Sequence, residues 1–144
     1  MGSKEVPFRD VPAFAKQGRE RYGIDGATRD MFDGCLAENR SVPAKRTSLS
    51  SRAARTYLDV CFFHPFADGN ARAALLALVF VLAREGVVLD HLGPLSALAR
   101  RADCADSASE LVRLLEILIR HTAGRAASHC SSPTRAGAAG SSGR

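Results

Sequence analysis

Residues 64–72 read His-Pro-Phe-Ala-Asp-Gly-Asn-Ala-Arg and stand directly before a long apolar run. Together these side chains meet the needs of phosphoryl or nucleotidyl transfer. His64 titrates near neutrality and can take a proton from an attacking hydroxyl. Asp68 is a hard oxygen ligand of the sort Mg²⁺ takes when it shares its shell with substrate phosphates and water. Arg72 presents a planar fork suited to phosphate oxygens. Asn70 can orient a phosphate oxygen or the loop itself, and Phe66 is expected to face inward and pin that loop. Each residue alone has an ordinary explanation: a packed histidine, an Asp-Gly-Asn turn, a solvent-facing arginine. The ordered set within one short stretch is what points to chemistry.

The elements around the stretch must position it. Asp68-Gly69 punctuates the chain, and residues 70–85 are good helix formers, so a helix is expected to start near Gly69 or Asn70 with Asp68 close to its cap. That start leaves the backbone amides of Gly69, Asn70 and Ala71 free for an anion at the positive end of the helix dipole. Small residues there let a phosphate approach the backbone.

The stretch resembles the signature of the Fic/Doc (Fido) family, His-x-Phe-x-Asp/Glu-Gly-Asn-Gly-Arg followed by a second Arg after two further residues. The resemblance implies a small, Doc-sized member of all-α fold: a helical bundle with a central buried helix after the HPFADGNAR loop and a small flap. It implies His64 as general base for a target hydroxyl and Phe66 as structural anchor. Asp68 would hold Mg²⁺, while Gly69, Asn70, Ala71 and Arg72 bind the phosphates of ATP or another nucleotide donor. The family reaction it implies moves AMP to a hydroxyl of a protein target, and a flap upstream of the motif docks that target as an added strand. Residues 41–47 are the candidate flap.

Two departures bear on the chemistry. Ala71 stands at a Gly position, adding one methyl but keeping the amide. Leu75 stands where the second Arg belongs, removing a charge-assisted clamp of about 1.5–3 kcal/mol on the terminal phosphates. The Doc branch, which also lacks that Arg, moves a γ-phosphoryl group instead but carries Lys where Ala71 stands. The alternatives are therefore a Doc-like kinase or phosphate-donor transferase acting on a protein or small molecule, and a catalytically weak nucleotide-binding module. The family also suggests a toxin with a separate antitoxin; the inhibitory Ser/Thr-x-x-x-Glu pattern is not matched, because Gly34 precedes Glu38 in its place.

Length and composition fit one domain. The chain has 144 residues, 46% hydrophobic, only 6% aromatic and no Trp, which favours helices over β-branched and aromatic strands. The net charge of +5 is modest, and nucleic acid is not the expected partner. Cys35, Cys61, Cys104 and Cys130 lack metal-ligand spacing and read as free thiols. The opening residues show no leader pattern, so a reducing cytoplasm is the expected setting. The apolar run from Ala73 to Ala83 is about half of the ~20 residues a bilayer span needs, which makes it a buried core helix and no membrane anchor. Helices are expected over residues 10–23, 25–40, 48–63 and 107–124, with a short one after Pro94. Residues 1–123 form the expected domain, and the Ala/Gly/Ser/Arg-rich residues 124–144 an expected disordered tail.

Overall fold

The computed structural model describes residues 7–41, 47–97 and 105–130. Among them the architecture is helical, with one small hairpin. Strands β1 (Ala13–Ala15) and β2 (Glu20–Tyr22) precede helices α1 (Thr28–Ser41), α2 (Leu49–Phe63), α3 (Asn70–Arg84), α4 (Gly93–Ala97) and α5 (Ala105–Cys130).

Helix starts follow from local side-chain chemistry. Before α1, Asp25 Oδ1 accepts from the Ala27 and Thr28 amides at 3.0 and 2.8 Å, while Thr28 Oγ1 accepts from the Asp25 amide at 3.1 Å. This reciprocal exchange satisfies amides that have no partner in the helix. Ser48 caps α2 by accepting from the Ser51 amide at 3.1 Å, as an N-cap serine should.

The core forms where these helices present their buried stripes. Helix α2 buries Ala53, Ala54, Tyr57, Val60 and Phe63 on one face and touches α1, α3 and α5. Helix α3 contributes Ala74, Leu78 and Leu82 at four-residue spacing, and α5 contributes Leu111 and Leu115. The alanines let α2 and α3 approach closely, and each fully buried leucine contributes about 1.5–3 kcal/mol through removal from water.

Three expectations need correction. Residues 10–23 form the hairpin and no long helix. Ala, Lys, Gln, Arg and Glu favour helix locally, but Ala13 is fully buried while Phe14 is 54% exposed, and the strands pair antiparallel with Ala13 opposite Tyr22. Tertiary anchoring overrides propensity in such short strands. Most of the candidate flap at residues 41–47 lies outside the described residues: Ser41 ends α1, residues 42–46 are not described, and Thr47 leads into α2. Helix α3 is buried along one stripe only, because Leu76 and Phe80 are 69% and 63% exposed. Finally, α5 runs through Gly124 to Cys130, with Arg125 Nε 3.1 Å from Asp90 Oδ2. A mid-helix Gly costs only about 1 kcal/mol, so it does not stop this helix; the rest of the expected tail, residues 131–144, lies outside the described residues.

Candidate active site

The loop between α2 and α3 is held from both ends by hydrogen bonds that the side chains of Arg9 and Asn70 make to its backbone. His64 is the C-cap of α2, in a left-handed conformation with φ 46° and ψ 65°. Histidine is among the non-glycine residues that tolerate this region. Its amide donates to Val60 O at 3.0 Å, and its carbonyl accepts from Arg9 Nε.

Arg9 is the residue that sequence reasoning missed. Only 6% exposed, its guanidinium donates to Val11 O at 2.8 Å, Gly23 O at 2.7 Å and Phe63 O at 3.3 Å, in addition to His64 O. Its own amide donates to Pro65 O at 2.9 Å. One side chain thus ties the base of the hairpin to the end of α2, satisfying carbonyls a helix terminus leaves open. Nothing in the local pattern around Arg9 marks it, because the partners of its side chain lie up to 55 residues away.

Asn70 secures the other end. It is 4% exposed; its Oδ1 accepts from the Phe66 amide at 2.9 Å and its Nδ2 donates to the Phe66 carbonyl at 2.7 Å. Both side-chain groups are spent on the loop, so Asn70 offers a phosphate its backbone amide rather than its side chain. Phe66 is only partly buried and lies outside the buried cluster. The loop is pinned through Phe66's backbone, not by burial of its ring.

The amides left open at the start of α3 are shifted one residue from those expected. Asp68 Oδ1 accepts from the Gly69 amide at 2.7 Å, so that donor is occupied. The first amide to bond back into the helix is that of Ala73, to Gly69 O at 2.9 Å. The amides of Asn70, Ala71 and Arg72 are therefore the ones the first turn leaves without an intrahelical acceptor. Gly69 is the N-cap with φ 78°, a conformation suited to glycine. Ala71 lies inside α3 without a positive φ, so its methyl adds no backbone strain. Arg72 is exposed, and its guanidinium passes close to Gly69.

His64 lines two pockets. One, of about 430 Å³, lies between residues 14–18 of the hairpin and residues 68–72 at the start of α3. The other, about 930 Å³, is lined by the hairpin together with side chains including Met31, Tyr57 and Phe62. The imidazole is 8% exposed and stacks on Tyr22, with centroids 3.5 Å apart and an interplanar angle of 17°. Tyr22 donates to Glu20 Oε2 at 3.2 Å.

Burial pushes the His64 pKa below its ordinary value; the Arg9 charge acts in the same direction, while the Cys61 carbonyl and the Glu20 carboxylate oppose it. Its Nδ1 is buried without a hydrogen-bond partner. Burial of this kind disfavours the charged form of the ring.

The structure therefore gathers His64, Asp68, Gly69, Asn70, Ala71 and Arg72 around one pocket, and Phe66 is not among the residues that line it. Asp68 offers one exposed carboxylate, a donor set that fits Mg²⁺ arriving with a nucleotide and completing its shell from phosphates and water. No helix among the described residues is long and apolar enough to cross a membrane.

Neither a curated protein nor a solved structure matches the chain significantly. The Fic/DOC family model matches residues 7–82, from just before Arg9 to the end of the buried stripe of α3, and this spans more than half of the chain. The match takes in the hairpin, the His64 loop and the head of α3 together, and the chain belongs to the Fic/DOC family, a family of transferases in general.

Proposed function

We propose that this protein transfers AMP from ATP, or a related nucleotidyl group from its triphosphate, to a hydroxyl of a protein target. The observation that carries the reading is an imidazole lining the same pocket as the open amides of α3. His64 takes the proton of the acceptor hydroxyl. The hydroxyl oxygen bonds to the α-phosphorus, and the bond from that phosphorus to the bridging oxygen breaks, releasing pyrophosphate. The amides of Asn70, Ala71 and Arg72 and the Arg72 guanidinium receive charge on the phosphate oxygens. Asp68 would hold Mg²⁺, which when bound neutralises phosphate charge. Arg9 and Asn70 fix the loop so that base and anion site keep one spacing, as positioned catalysis requires.

A second reading is favoured by one specific observation. Leu75 packs against the buried cluster where the family motif has its second Arg, which suits a Doc-like transfer of the γ-phosphoryl group to a protein or small molecule. A separate antitoxin and a cytoplasmic setting accompany either reading as proposals. The test uses the full chain with Mg²⁺, candidate acceptors and ATP labelled at either the α- or the γ-phosphate. Label from the α-position appearing on the acceptor supports AMP transfer; label from the γ-position alone replaces it with the kinase reading. Nucleotide binding without transfer of either leaves a binding module. A His64→Ala variant is expected to abolish the signal, and undiminished transfer would remove His64 from the role of base.

A further inference from the structure

The pocket at the head of α3 is faced from the hairpin by a second cation. Lys16 and Arg72 are the positively charged residues that line it. Leu75 lines neither pocket; it packs against the buried cluster, so an arginine introduced there would have to leave that packing to reach the phosphates. Lys16 and Gln17 adopt φ of 49° and 59°, followed by Gly18 at 85°. Consecutive left-handed residues bearing side chains are a conformation that L-amino acids avoid and that persists where surrounding structure imposes it, often at ligand clamps. Here they form the turn that lines the pocket.

The ion pair that now engages Lys16 is weakly held. Its Nζ lies 2.6 Å from Glu20 Oε1, with the two side chains 69% and 40% exposed. Exposed pairs of this kind contribute little, and one carboxylate competes poorly with the several charges of a polyphosphate.

We infer that Lys16 supplies the second cationic contact to the donor's terminal phosphates and makes the site prefer triphosphates over monophosphates. This rests on reading the pocket as a phosphate site. On binding, Nζ exchanges the Glu20 carboxylate for a phosphate oxygen, and the hairpin turn, through Lys16, becomes part of the donor site.

The test is calorimetric titration of the full chain with ATP, inorganic tripolyphosphate and AMP at low salt. Lys16→Met is expected to weaken ATP and tripolyphosphate tenfold or more while changing AMP less than twofold. Arg19→Met removes an equal charge from the same hairpin at an exposed position that lines neither pocket; it is expected to change all three less than twofold. Glu20→Gln, which frees Lys16, is expected to tighten ATP. If wild type binds ATP, Arg72→Ala loses it and Lys16→Met matches wild type, the inference is wrong and the phosphate site stands. If wild type binds neither ATP nor tripolyphosphate, the phosphate site and the inference both fail.

Discussion

Replacing Arg9 by Met is expected to destabilise the fold and to raise the His64 pKa. Arg9 donates to Val11, Gly23, Phe63 and His64 carbonyls, and the bonds to Phe63 and His64 are buried. Leaving a buried acceptor without its donor costs about 1–3 kcal/mol, so those two carbonyls alone bring the loss to about 2–5 kcal/mol once partial relaxation is allowed. Against a total of about 5–15 kcal/mol for an ordinary domain, the variant stays folded with a much reduced margin. Because burial first and the Arg9 charge after it hold the His64 pKa down, Met at position 9 moves that pKa toward about 6.5. Arg9→Lys keeps the charge but cannot reach four carbonyls at once; it is expected to lose stability without raising the pKa. Urea denaturation gives the first quantity and an NMR titration of the ring the second. An Arg9→Met variant with the wild-type urea midpoint, or an unmoved His64 pKa, would refute the reasoning.

Further expectations concern the loop and the base. His64 has a lowered folded pKa, so below about pH 6.5 the unfolded chain binds a proton that the folded chain refuses. Stability present above that pH is lost as pH falls toward the folded pKa; the urea midpoint of His64→Gln should show a shallower decline there, and parallel profiles would count against a buried neutral ring. Asn70→Ala removes both bonds to Phe66 and is expected to cost about 2–4 kcal/mol, with faster amide exchange at Phe66; a cost under about 0.5 kcal/mol would show that the loop is held otherwise. Gly69→Ala forces a methyl onto φ 78° and brings it 3.4 Å from Arg72 Nη2. A loss of about 1 kcal/mol with weakened ATP affinity is expected, and unchanged melting temperature would argue that Gly69 is free to relax.

The helices were legible because their signals are local. Ser48 before the α2 stripe, the punctuation at Asp68-Gly69, and Leu111 with Leu115 in α5 all lie within a few residues of what they specify. The motif residues were legible for the same reason, since HPFADGNAR is one uninterrupted loop and helix start. The hairpin was hidden because each strand is three residues long, too short to show alternation against a background of good helix formers. Arg9 and Tyr22 were hidden because their importance lies in contacts with His64 that only the fold creates. The division of labour within the motif was also tertiary: only the folded loop shows that Asn70 spends its side chain on Phe66 and that Asp68 takes the Gly69 amide, moving the open donors to residues 70–72.

Backbone NMR of the ¹⁵N-labelled protein, titrated with Mg²⁺ and ATP, tests most directly whether that first turn and the neighbouring imidazole form one site. Saturable shifts concentrated at the amides of Asn70, Ala71 and Arg72, with matching movement of the His64 ring signals, are the expected result. Saturable shifts that leave those three amides and the ring untouched while changing another part of the molecule would contradict it.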